Sequence, residues 1–84
     1  MITRKPVPVG EPQEAICYDM ESIGAMLRAR RKQLGMTQQH VAEFLGFSPR
    51  LIGEMERGRD TVAIGKVMRY ANGLGIDLVL RTRG

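Results

Sequence analysis

The apolar residues of this 84-residue chain fall into four helical stripes and one alternating run. Ile23, Met26, Leu27 and Leu34 recur on one face of a segment from about 21 to 34, and Gly35 ends it. Val41, Ala42 and Leu45 form a second stripe. Ile52 and Met55 form a third, and Ile64, Val67, Met68, Ala71 and Leu74 a fourth at i, i+3, i+4, i+7 spacing. After Gly75 the period changes. Ile76, Leu78 and Leu80 alternate with Asp77, Val79 and Arg81, which predicts a strand over residues 76–82.

The residues between the stripes supply the stops and starts. Thr37 is placed to cap the second helix, because an N-cap hydroxyl accepts from a backbone N–H one turn in. Gly46 sits where that helix must end, since glycine takes positive φ without a Cβ penalty. Ser48-Pro49 restarts the chain, with serine as cap and proline at the first helical position. Gly58 closes the third helix, and Thr61 is expected to cap a fourth from about 62 to 74. Gly65 and Gly73 weaken that helix, so packing must hold it. Two short helices around a glycine turn, residues 37–58, make a helix-turn-helix. Its second helix leaves Ser48, Pro49, Arg50, Gly53, Glu54 and Arg57 to point outward.

The two ends read differently. Pro6, Pro8, Gly10 and Pro12 bar a helix from residues 1–12, which read as an extended arm or a loose tail. Ile16, Cys17 and Tyr18 are the first residues able to pack or pair. At the other end, a strand in a helical chain needs a partner for its backbone. The same strand of a second copy would serve, giving a two-stranded ribbon across a homodimer axis through Ile76, Leu78, Val79 and Leu80. Pairing with residues 16–18 of the same chain is the rival, and both can hold together. The expected plan is an arm over 1–20, a helix-turn-helix domain over 21–75 and a dimerisation strand with the chain end over 76–84.

Composition narrows the function. A chain this short buries only ~60% of its unfolded surface, so a monomer is marginal. Tryptophan is absent and aromatics are 5%, which predicts an aliphatic core. Cys17 is the single cysteine and His40 the single histidine. No internal disulfide, multi-cysteine zinc site or other metal site is expected, and Cys17 has no base beside it. Glu54 and Glu56 lie two apart on a helix and face different ways, which argues against an acid/base pair. No catalytic residue and no cofactor are therefore assigned. No apolar run approaches the ~20 residues of a membrane span, and no signal peptide is visible, so a reducing cytoplasm is expected.

The net charge is +4, and its placement says more than its total. Seven basic residues stand against four acidic ones between 21 and 59, two against three before, and four against two after. A basic helical region suits a module that neutralises phosphates, and a solvated basic face gives the same count. On the outward face Arg50 is the best direct reader, since a guanidinium can bond both O6 and N7 of guanine. Ser48 can meet a base or a phosphate. Pro49 and Gly53 offer only thymine-methyl contact or close backbone approach. Glu54 can accept from cytosine or orient Arg50. Gln38 and Gln39, at the positive end of the second helix, are placed to hold a phosphate. Arg28, Lys32, Arg57 and Arg59 are further phosphate candidates, although cations late in the first helix also suit its dipole. Arg31 leans inward, where an unpaired guanidinium is costly. Glu56 is its expected partner in a structural ion pair.

The pieces RARRKQLGMTQQHVAEFLG, FSPRLIGEMERG and GKVMRYANGLGI resemble the Xre/Cro helix-turn-helix family, over about two thirds of the chain. The resemblance implies a mainly α, four-to-five-helix, lambda-repressor-like domain with a C-terminal β-strand pairing across a homodimer. It implies a structural Arg31–Glu56 pair, a phosphate contact at Gln38, and base-facing positions at Ser48, Pro49, Arg50, Gly53 and Glu54. The chain departs at Pro49 and Gly53, where many members carry side chains that bond bases. The ending GKVMRYANGLGIDLVLRTRG is similar to HipB-type antitoxins. That implies a cytoplasmic, nucleoid-associated operon repressor with double-stranded operator DNA and a HipA-like kinase toxin as partners. A stand-alone Xre-family regulator, and a module that chiefly holds a protein partner, are the alternatives.

Overall fold

The computed structural model describes residues 13–84; the first twelve, where the arm is expected, lie outside the described residues. Four helices follow in order: α1 Met20–Gln33, α2 Gln38–Leu45, α3 Pro49–Glu56 and α4 Ile64–Gly73. Three have side-chain caps. Asp19 accepts from the Ser22 backbone N–H at 2.8 Å. Thr37 accepts from the His40 N–H at 3.0 Å, and His40 Nδ1 accepts from the Thr37 N–H at 3.3 Å, a capping box with histidine in the usual Glu position. Ser48 accepts from the Leu51 N–H at 3.1 Å, with Pro49 at the first helical position. Gly46 takes φ 75° at the end of α2, as its place between the two helices requires.

The fourth helix departs from expectation. Thr61 is not its cap: the helix begins at Ile64 behind Ala63, with no side-chain cap. Residues 60–62 form a turn instead, from which Val62 packs against the core. The buried stripe of α4 is Val67, Tyr70, Ala71 and Leu74, itself an i, i+3, i+4, i+7 set. Ile64 and Met68 are left on the flank, exposed.

Leu27 of α1, Val41 and Ala42 of α2, Ile52 and Met55 of α3, and the α4 set make one core. It is not purely aliphatic, because Tyr70 is its largest fully buried side chain. Two glycines bring α1 and α3 together backbone to backbone. A Cβ on Gly24 would lie 2.4 Å from the Met55 carbonyl oxygen, and one on Gly58, held at φ +81°, would lie 2.4 Å from Glu21 Cα. The orientation of α3 is thus fixed by contacts no larger residue permits.

Beyond α4, Ile76 donates to the Ala71 carbonyl at 2.8 Å and packs against the core. Residues 77–84 then run on with no helix or strand, leaving Val79 77% and Leu80 99% exposed. Among the described residues the expected strand does not form. Pairing in cis with residues 16–18 does not occur either: both segments are irregular, and Ile16 and Tyr18 are exposed.

Candidate nucleic-acid interface

The inner side of α3 is spent on Ile52 and Met55, which leaves its other side to solvent. The Arg50 side chain is 86% exposed, with its Nε 3.4 Å from Glu54 Oε2. Arg59 Nη1 reaches the same Glu54 oxygen at 3.8 Å. Glu54 therefore sits between two arginines and orients Arg50 from one turn away. Ser48 and Pro49 are exposed at the start of the helix. The Ser48 oxygen serves the cap, so its own proton is what it can still donate.

Gly53 is not the open backbone the spacing suggests. It is buried, because the Arg57 guanidinium folds back over it and the Gln38 side chain closes in from α2. Direct access of a base to the Gly53 backbone is therefore blocked in this conformation.

Beneath that face lies a carboxylate on which all four helices converge. Arg31 of α1 donates to Glu56 of α3 through Nε at 2.7 Å and Nη2 at 3.0 Å, and through Nη1 to the Met36 carbonyl at 2.9 Å. Gln38 of α2 donates from Nε2 to Glu56 Oε1 at 3.2 Å. Tyr70 of α4 donates its hydroxyl proton to Oε2 at 2.5 Å. Burial alone would raise the Glu56 carboxyl; the hydrogen bonds from Arg31, Tyr70 and Gln38 outweigh it and hold the group below its ordinary value. The Glu56 bond raises Arg31 in turn. Burial, followed by the bond to Glu56, pushes the Tyr70 phenol well up. Among the described residues no buried side-chain N or O atom lacks a partner.

The expected Arg31–Glu56 pair is thus present as a bidentate bond, but two of its members were not foreseen. Tyr70 was hidden by the scarcity of aromatics. Its signal is a phenol at a core position, which needs a buried acceptor. Gln38 was read only as a surface group, whereas one of its amide protons is committed inward.

The remaining cations divide by what they touch. Arg30 donates to the Leu74 carbonyl at 2.7 Å, and Arg69 to the Leu45 carbonyl at 2.6 Å while lying 4.4 Å from the Phe47 ring centroid. These hold helix ends in place. Arg28 and Lys32 of α1 line a shallow groove of about 610 Å³ together with Arg57, which brings three phosphate candidates to one place. Gln39 is exposed and lies 3.4 Å from Glu43. His40 is occupied by the α2 cap, and no group of three His, Cys, Asp or Glu that could hold a metal is found among the described residues. No helix among them is long and apolar enough to cross a membrane.

A family model described as a helix-turn-helix domain matches residues 22–83. The chain belongs to that helix-turn-helix family. The HTH-type transcriptional regulator y4mF of Sinorhizobium fredii is 34% identical over 62 residues, covering 74% of this chain and 82% of the relative. The clp gene regulator ClgR of C. glutamicum superposes with a TM-score of 0.63 at 34% identity, over 70% of this chain and 76% of that one. A HipB–O4 20mer complex matches with a TM-score of 0.76 at 18% identity, over 84% of this chain and 100% of that one. The HipA–HipB–O2–O3 complex matches at 0.75 with the same identity and coverage. At 18% identity the last two establish the likeness of fold alone.

Proposed function

We propose that this chain is a sequence-specific, DNA-binding transcriptional repressor that works as a homodimer on double-stranded operator DNA. The observation that carries the reading is the outward side of α3. There a well-exposed Arg50, oriented by Glu54, stands on a helix locked to α1 and α2 by buried contacts. A helix so mounted fits the major groove, and an arginine near its start can read guanine. Ser48, Pro49 and Glu54 complete the base-facing set. Gln38, Gln39, Arg28, Lys32, Arg57 and Arg59 supply backbone contacts, which set register and strength. Family membership supports the same reading.

The second half of the proposal is pairing. Residues 76–82 of two copies form an antiparallel ribbon that covers Leu78, Val79 and Leu80 and satisfies their backbones. The support is the exposure of those side chains and the lack of a strand partner among the described residues. A helix-turn-helix domain with a dimerisation end is the plan this arrangement supports.

The ending that resembles HipB-type antitoxins extends the proposal. The repressor would be the antitoxin of a toxin–antitoxin operon in the cytoplasm, neutralising a HipA-like kinase toxin. No residue is assigned a catalytic role.

The test is binding to duplex DNA from upstream of its own gene, against a random duplex of equal length, over a salt series. Preference for the upstream duplex with a steep salt slope is expected, since each neutralised phosphate contributes ~0.9 to the slope. Equal, salt-insensitive binding would overturn the reading. A kinase-like neighbouring gene whose product co-purifies with this chain would support the antitoxin role, and a kinase that does not associate would overturn it.

A further inference from the structure

The end of α3 places a second arginine on the carboxylate beside Arg50. Gly58, at φ +81°, turns the chain back over the helix. Its N–H donates to the Met55 carbonyl at 3.1 Å, and the Arg59 N–H donates to the Glu54 carbonyl at 3.0 Å. These two bonds make a Schellman motif, in which the residue after the glycine lies beside the third-last residue of the helix. An apolar contact commonly fills that place. Here an ion pair fills it: Arg59 Nη1 lies 3.8 Å from Glu54 Oε2, the oxygen that Arg50 Nε approaches at 3.4 Å. The turn beneath Arg59 is itself fixed, because Gly58 packs against the α1 backbone at Glu21. Among the described residues Glu54 is the one salt-bridge partner of Arg59.

Glu54 is mostly buried, its side chain 19% exposed, whereas Arg50 stands almost wholly in solvent. Both contacts are longer than the ~2.7–2.9 Å of a charge-assisted hydrogen bond, so the carboxylate is shared and not clamped. Without Arg59, Arg50 would be its sole counter-charge. Arg50 could then turn to a base only by leaving a mostly buried carboxylate unpaired in front of DNA phosphates, which is costly. We propose that Arg59 is a specificity-determining residue that acts through Glu54: it keeps the carboxylate paired, so that Arg50 is oriented by Glu54 without being captured by it. The inference rests on the DNA-binding reading above and goes beyond it at Arg59, which there is one phosphate candidate among several. Arg59 is a positioning residue, and Arg50 is the group that meets the base. A plain phosphate contact carries no sequence information and strengthens all duplexes alike. The role of Arg59 shows instead in the preference for one duplex over another.

Affinity for the upstream and random duplexes is measured at one salt concentration, alongside thermal unfolding, for wild type, Arg59→Ala, Glu54→Gln and the double variant. All four should stay folded, because alanine at 59 keeps the backbone bond to Glu54 and an exposed ion pair adds little stability. Arg59→Ala should lower the upstream-to-random affinity ratio roughly tenfold, the scale of one base contact. Glu54→Gln alone should keep most of the preference, since glutamine retains an acceptor for Arg50 and has no charge to capture it. The double variant should recover the ratio of Glu54→Gln, because the effect of Arg59 passes through the Glu54 charge. A ratio unchanged in Arg59→Ala, with both affinities reduced, makes Arg59 a phosphate contact only and overturns the proposal. A lost ratio that Glu54→Gln fails to restore, or a Glu54→Gln protein without preference, overturns it too. Each of these leaves the DNA-binding reading standing, whereas a wild-type protein that prefers neither duplex overturns both.

Discussion

The outward face of α3 exposes an arginine; the segment after α4 exposes leucines. At α3 Ile52 and Met55 are turned in, and Glu56 is held from below by α1, α2 and α4. That face is finished within one chain. Residues 77–84 carry Leu78, Val79 and Leu80 into water, and an isolated strand leaves its backbone groups unpaired. Among the described residues nothing covers that end. The two regions differ in kind: one is rigid and polar, and the other leaves apolar side chains exposed, which the proposed pairing of two copies would cover.

The largest effect should come from the carboxylate beneath the rigid face. Glu56→Ala strands Arg31, whose side chain is only 9% exposed. Losing one partner of such a pair costs ~3–5 kcal/mol, readable by urea unfolding. The pH dependence has a definite sign. The folded carboxyl lies below its ordinary value of 4.5, so its contribution is present above that pH and is lost as pH falls through the folded value. Wild-type stability should therefore drop below about pH 4.5, and Glu56→Gln should show lower stability at neutral pH with a shallower acid loss. A variant as stable as wild type would mean the rigidity comes from elsewhere.

Removing residues 78–84 should come next. The core and the Ile76 contact remain, so the shortened chain should fold. It should sediment as a monomer and lose roughly 100-fold in affinity for a two-half-site operator, the scale of an avidity effect. A shortened chain that stays dimeric would break the contrast between the two regions. The smallest effect sharpens it. Arg50→Ala should cost ~1–3 kcal/mol on the operator and relax its sequence preference, with folding and dimerisation unchanged. Unchanged operator binding would mean that the wrong side of α3 has been chosen.

Much of the helix-turn-helix was legible in the sequence because its signals are local. Thr37, Gly46 and Ser48-Pro49 act within one turn of themselves, and the helices they bound agree with expectation. What escaped depends on residues distant in sequence or on side-chain path. Thr61 looks like a cap, but Val62 is drawn into the core from a turn, which delays α4 to Ile64. The apolar stripe of α4 turns so that Tyr70 is buried while Ile64 and Met68 are not, and only the neighbours of α4 decide that. Gly53 sits on the outward side by spacing, yet its cover comes from the folded-back arm of Arg57. The Gln38 bond to Glu56 spans 18 positions, beyond any local pattern.

The most direct test of the paired reading face is a footprint of the wild-type protein on DNA upstream of its own gene. Two related protected half-sites on one face of the duplex are expected, with centres about one helical turn, ~34 Å, apart. Removal of residues 78–84 should abolish the paired pattern at the same protein concentration. A single isolated patch, or protection no better than on unrelated DNA, would contradict it.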